Sequence, residues 1–211
     1  MELLHRRVIH LRASGKECME HPRTVPLCYV DPMLTLRQHY LLKKDPFFRM
    51  PCACKKDIPD YPGTEEWGPI VWKILHGLAE RVGTSRCIDE EVREWKRLLT
   101  LTADILPCDV CKKHYKEVLL QQPIAGILKM NAQEASSFIQ RWLWSLHNEI
   151  NVENGKPAVP FTDLAQYSTV DFQDMFWRLE PVMKLAITKS GVGYISWLKW
   201  SASAKMLASF Y

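Results

Sequence analysis

Cys108-Asp109-Val110-Cys111 places two thiols at a spacing that suits reversible redox chemistry. Pro107 precedes the pair, and a helical pattern starts with it. Proline is favoured in the first turn of a helix, and the unpaired amides there stabilise anions. A cysteine at that position has a lowered thiol pKa, so more of it is the thiolate that attacks disulfides. Residues three apart share a helix face and can be bridged. Other chemistries compete for the same residues. Cys108, Cys111 and His114, with a cysteine from the N-terminal arm, would suit a zinc site in a non-catalytic helical adaptor. Against zinc, Lys112 and Lys113 put positive charge beside the thiols, and Cys52-Ala53-Cys54 is tighter than a usual zinc knuckle. Haem attachment needs histidine directly after the second cysteine, where Lys112 stands. Two inert core cysteines are the plainest alternative.

A second set of residues could hold a flat heteroaromatic ligand. Trp144, His147, Asn148 and Asn151 fall at i, i+3, i+4 and i+7 and form one stripe of a helix. Trp72 and His76 repeat the pattern at i, i+4. Such a stripe alone is more often a satisfied polar seam between helices; two stripes framing a reactive C-x-x-C point to a cofactor. No G-x-G-x-x-G follows a strand, and no strand pattern supports a Rossmann unit, so the cofactor is expected between helices.

The elements that must position these groups are helices. Glu66 to Val82 carries an apolar stripe of Trp67, Ile70, Val71, Ile74, Leu75, Leu78 and Val82. A second helix is expected over 89–106, with Val92, Trp95, Leu99, Thr102 and Leu106 along one side. A third opens at Pro107-Cys108 and ends before Pro123. The fourth covers about 132–152, with Ala135, Phe138, Ile139, Trp142, Leu143, Leu146 and Ile150 inward, and closes at Gly155-Lys156-Pro157. Ser168 to Asp171 resembles a capping box ahead of a further helix bent at Pro181, and the Trp-rich tail after Ser190-Gly191 makes another short one. No useful strand alternation occurs. The fold class is all-α, a four-helix bundle with an irregular arm over residues 1–62, a core over 63–160 and a helical extension over 161–211.

The 211 residues are 47% hydrophobic and 25% charged, with a net charge of +4. That length builds a core without structural disulfides, so seven cysteines are better read as redox or metal chemistry. The mixed charges imply no nucleic-acid surface, and no apolar run approaches the ~20 residues of a membrane span. Seven of thirteen prolines lie in the first 62 residues, scattered among Cys18, Cys28, Cys52 and Cys54. The basic start is read as a solvated arm, with a transit peptide as the alternative.

The segments WGPIVWKILHGLAE, LPCDVCKKHYKEVL and FIQRWLWSLHNEINVENGKP resemble, in this order, the Erv/ALR family of FAD-dependent sulfhydryl oxidases. The matching positions are Gly68, Trp72, His76, Cys108, Cys111, His114, His147, Asn148, Asn151 and Lys156, within about 66–160. The compact form with W-G-P opening the first helix is most like those encoded by large cytoplasmic DNA viruses. The resemblance implies a five-helix fold, the fifth helix short, with FAD in the mouth of a four-helix bundle, commonly as a homodimer. It implies that Cys111 lies against the flavin and Cys108 meets incoming thiols. Trp72, His76, His114, His147, Asn148, Asn151 and Lys156 would hold FAD, with Gly68 allowing close approach. Many cellular members carry a further cysteine pair after the C-x-x-C; this chain has no cysteine after Cys111.

Family members often use a shuttle disulfide outside the core. Cys52 and Cys54 are the candidate pair, because a bridge across one residue is strained and exchanges readily. Cys18 and Cys28 are the rival pair, free thiols the alternative for both, and Cys87 is expected to be unpaired. Electrons would pass from protein thiols, or a small dithiol relay protein, to oxygen, giving hydrogen peroxide. A viral-type enzyme would work in the host cytoplasm or virion; the alternative location is the mitochondrial intermembrane space.

Overall fold

The computed structural model describes residues 60–211; the arm cysteines Cys18, Cys28, Cys52 and Cys54 lie outside the described residues. Every regular element among the described residues is helical. Helix α1 is Thr64–Ala79, α2 Ile88–Ile105, α3 Asp109–Gln121, α4 Ala132–Glu153, α5 Phe172–Thr188 and α6 Tyr194–Phe210, with 3-10 segments at Ile124–Lys129 and Phe161–Thr169.

The boundaries follow local chemistry. Glu66 accepts the Gly63 N–H at 2.8 Å in the first turn of α1. Helix α2 stops before Pro107, which disfavours helical geometry at Leu106, where ψ is 125°. Helix α4 opens with a reciprocal capping box: the Glu134 N–H donates to Asn131 Oδ1 and the Asn131 N–H to Glu134 Oε2, each at 3.0 Å. It ends as expected, with Gly155 at φ +71°, a left-handed position that glycine adopts without steric cost. At α5 the cap differs from the sequence expectation. Asp171 itself is the N-cap, accepting from the Gln173 and Asp174 amides, while the Ser168 hydroxyl donates to Ala165 within the 3-10 segment. Pro181 lies inside α5, which continues to Thr188.

The expected stripes do become the core. Trp67, Ile70, Val71, Ile74, Leu75 and Leu78 of α1 are buried, as is Val82, although it lies beyond the end of the helix. They share one cluster with Val92, Trp95 and Leu99 of α2, Ile139, Leu143 and Leu146 of α4, Leu179 and Met183 of α5, and Trp200 and Leu207 of α6. The tail is therefore an integral part of the core, and α6 is as long as α5 at 17 residues. Helix α6 and Tyr211, which follows it, dock on α2 through polar contacts: Trp200 Nε1 donates to Thr102 Oγ1 at 2.9 Å in a buried bond, and Trp95 Nε1 to the Tyr211 hydroxyl at 3.1 Å in a part-buried one. Trp200 is completely buried, so its replacement by Ala would cost about 3–5 kcal/mol. Among the described residues, no helix is long and apolar enough to cross a membrane.

Candidate functional site

Cys108 and Cys111 form a disulfide, with their Cα atoms 5.1 Å apart. Cys108 is the N-cap of α3, and its sulfur accepts the Cys111 amide N–H at 3.1 Å. A backbone donor aimed at this sulfur stabilises negative charge on it whenever the disulfide opens. Cys108 is only 1% exposed, whereas Cys111 is half-buried against the core. Joined as a disulfide, the two sulfurs are not available as thiolate ligands to a metal. Next in the chain, Lys112 Nζ pairs with Asp109 at 3.2 Å and donates to the Gly191 carbonyl at 2.7 Å, tying α3 to the α5–α6 turn.

Helices α1 and α4 bring the expected aromatic and imidazole groups together. The Trp72 and His147 rings are nearly parallel, 6° apart with centroids at 4.1 Å. His76 joins them, its Nε2 lying 3.1 Å from His147 Nδ1. Burial, with His147 as a secondary cause, pushes the His76 pKa down to about 3. Burial and then the Lys156 charge push His147 down to about 4. Both rings are therefore neutral at ordinary pH, each offering one N–H and one acceptor nitrogen. Tyr167, from the 3-10 segment Phe161–Thr169, extends the array by stacking on His76 at 4.9 Å. Sequence reading missed Tyr167, because it belongs to no periodic helix and only the folded chain returns it to α1.

Several expected ligand residues have structural partners. The Asn148 side chain donates to the Val159 carbonyl at 2.9 Å and accepts the Val159 amide at 2.8 Å. Trp144 Nε1 also donates to that carbonyl. Together they anchor the segment after α4. Asn151 accepts the Lys156 amide through its own carbonyl at 2.8 Å, so its main chain holds the turn that carries Lys156. His114 lies between two α4 carboxylates, with Nε2 3.4 Å from Glu149 and Nδ1 3.7 Å from Glu153. It thus bridges α3 to α4 rather than joining the Trp72–His147 array. Gly68 lies two helical turns before His76 on α1, and a Cβ built there meets nothing within 4 Å.

These residues fit a flavin. The Trp72–His147 stack offers aromatic surface for a flat tricyclic ring to continue, and neutral imidazoles, His76 buried and His147 part-buried, suit its polar edge without a charge mismatch. Space lies open beside Gly68, and the buried indole N–H of Trp67 has no partner. Lys156 is exposed and carries positive charge close enough to lower the His147 pKa, which suits a phosphate. Cys87 is exposed and unpaired, as the sequence implied.

Residues 69–173 match the Erv1 / Alr family. The chain is 34% identical over 111 residues to the FAD-linked sulfhydryl oxidase ERV1 of Oryza sativa subsp. japonica, covering 50% of this chain and 51% of the relative. It is 31% identical over 106 residues to the protein of the same name from Arabidopsis thaliana, with the same coverages. The mitochondrial FAD-linked sulfhydryl oxidase ERV1 of Saccharomyces cerevisiae is 27% identical over 100 residues, 46% of this chain and 48% of the relative. The chain thus spans about half the length of the curated relatives it matches. No solved structure matches it significantly.

Proposed function

We propose, because residues 69–173 belong to the Erv1 / Alr family, that this chain is an FAD-dependent sulfhydryl oxidase that makes disulfides in protein thiols. The observation that carries this reading is the Cys108–Cys111 disulfide at the N-terminus of α3, in a fold that also assembles the Trp72, His76 and His147 array. FAD, when bound, would supply the redox chemistry that carries an electron pair from cysteine thiols to oxygen. Trp72, His76 and His147 would hold its ring system and Lys156 a phosphate, and Gly68 would leave room.

The protein's own chemistry is thiol–disulfide exchange. A substrate thiolate attacks the Cys108 sulfur, breaking the Cys108–Cys111 bond and releasing Cys111 as thiolate. The substrate's second thiol, on losing its proton, attacks the substrate sulfur of the mixed disulfide. This forms the substrate disulfide and releases Cys108 as thiolate, which the Cys111 amide stabilises. The two thiols have then given up two protons and two electrons, and the electrons reside on the cysteine pair. Because Cys108 is 1% exposed, the groups covering it must move before a thiol reaches it.

Further parts of the reading rest on narrower support. Cys52 and Cys54, followed by Lys55 and Lys56, are the proposed shuttle, with Cys18 and Cys28 the rival pair. A small dithiol relay protein is the proposed donor, and a homodimer the proposed assembly. The yeast relative's name, a mitochondrial protein, supports a mitochondrial location, with the intermembrane space as the proposed compartment. The W-G-P opening and the lack of cysteine after Cys111 support the viral-like form in host cytoplasm or virion.

Purified protein should be yellow and take up oxygen on addition of a dithiol. Cys108→Ser and Cys111→Ser should each abolish turnover while flavin stays bound. Retained oxygen uptake in either variant, or colourless protein carrying stoichiometric zinc, overturns the reading.

A further inference from the structure

We infer that the α5–α6 turn and the exposed start of α6 form a docking surface for an acidic, apolar polypeptide segment that brings its cysteines to Cys108–Cys111. The inference rests on the oxidase reading above and adds where the substrate sits and what chemistry it presents. The starting point is the 2.7 Å hydrogen bond from Lys112 Nζ to the Gly191 carbonyl, which places the turn against the first turn of the redox helix. Apolar side chains stand in solvent within a few residues of either end of this contact. Val110, two residues before Lys112, is 58% exposed; Tyr194 and Ile195, just beyond Gly191, are 58% and 59% exposed, and Leu198 is 45% exposed. The core does not require them, since α6 already packs through Trp197, Trp200, Ala204 and Leu207. Helix α6 is therefore apolar on two sides, and its outer apolar side begins just after the turn that Lys112 of α3 holds, one residue along from Cys111. A polypeptide that exchanges disulfides with this pair has this surface within reach of its flanking residues.

Charge selects the occupant. From Pro181 to Tyr211 the chain has no aspartate or glutamate and four lysines, Lys184, Lys189, Lys199 and Lys205. Lys189 and Lys199 bracket the exposed stretch in sequence. A second copy of the same face would set lysine against lysine, whereas a segment with apolar and acidic residues meets both features. The α5–α6 turn and α6 lie beyond residues 69–173, whereas Val110 and Lys112, at the other end of the contact, lie within the part that matches the family.

The test uses the full flavin-loaded protein and two reduced dithiol peptides, with dithiothreitol as a substrate too small to need docking. One peptide flanks its cysteines with leucine and glutamate; the other has serine and lysine at those positions. The acidic apolar peptide should show a KM about tenfold lower, rising with salt because part of the attraction is ionic. The double variant Ile195→Asp/Leu198→Asp should remove that advantage, and Lys189→Glu/Lys199→Glu should reverse its charge preference, with dithiothreitol oxidation unchanged in both. Equal KM values for the two peptides on the unaltered protein overturn the inference without recourse to any variant. So does an undiminished preference in the aspartate variant. Absence of dithiothreitol oxidation in the unaltered protein defeats the oxidase reading instead.

Discussion

His76 Nε2 and His147 Nδ1 lie 3.1 Å apart across the α1–α4 interface, although their residues are 71 positions apart in the chain. One ring must donate and the other accept, so the contact exists only while at least one nitrogen of the pair is unprotonated. Trp72 is stacked on His147 and Tyr167 on His76, so the two rings have little freedom to turn away on charging.

That contact sets a pH dependence. Burial depresses the pKa of His76 to about 3 and of His147 to about 4, against 6.5 for a free side chain. The unfolded chain therefore binds more protons than the folded one below about pH 6.5, and stability falls with pH through that region. The contribution is complete above pH 6.5 and is lost progressively as pH drops through the folded values of about 4 and then about 3. Thermal melts between pH 7 and 4 should show the midpoint falling, with a shallower slope for His147→Gln. An equal slope in the variant would remove the histidines from the explanation.

A second prediction concerns Tyr211. Its hydroxyl accepts from Trp95 Nε1 and donates to the fully buried Glu91, which also accepts the Gly83 amide at 2.9 Å. Tyr211→Phe fills the same space but leaves the indole N–H unpaired and the carboxylate short of a donor. Denaturant titration should show a loss of about 1–3 kcal/mol, because buried polar groups left unmatched bear their full desolvation cost.

A third prediction separates scaffold from ligand contact at Asn148. Its side chain is committed to the Val159 backbone in both directions. Asn148→Ala should reduce stability by about 1–2 kcal/mol even in flavin-free protein. If it weakens flavin retention and leaves the stability of flavin-free protein unchanged, the residue acts as a direct ligand instead.

The sequence made the helices legible because each stripe repeats with the helical period, and Trp67 to Leu78 is buried as that spacing demands. It also made the disulfide-bonded pair legible, because the helical pattern after Pro107 puts a helix N-terminus near Cys108, although Pro107 itself stays outside the helix, which starts at Asp109 with Cys108 as its N-cap. Interactions between distant segments were hidden. Nothing in the local pattern around Tyr167 points to His76, and nothing near His114 announces Glu149 and Glu153. A Ser-to-Asp capping pattern gave the right helix but the wrong cap, because Asp171 can reach the amides of Gln173 and Asp174 alone. The length of α6 was underestimated because apolar residues on two sides blur its period.

The last prediction contrasts two glycines that resist substitution for different reasons. At Gly155 a Cβ meets nothing within 4 Å, but φ is +71°, so Gly155→Ala should cost about 1–2 kcal/mol through backbone strain alone. At Gly191 the obstacle is contact: a Cβ would fall 1.8 Å from the Tyr61 hydroxyl oxygen and 2.6 Å from its ring carbon Cζ. Either Tyr61 or the turn must move, and the turn is held by the Gly191 amide on Ala186 and by Lys112 on the Gly191 carbonyl. Gly191→Ala should therefore cost about 1–3 kcal/mol, the usual range for overpacking. The two costs are distinguishable by a second substitution. Tyr61→Ala opens space for the Gly191 methyl, so the double variant should be more stable than the sum of the single effects predicts, whereas Tyr61→Ala and Gly155→Ala should simply add. Additivity at Gly191 as well would show that the turn, rather than the tyrosine, yields to the added methyl group.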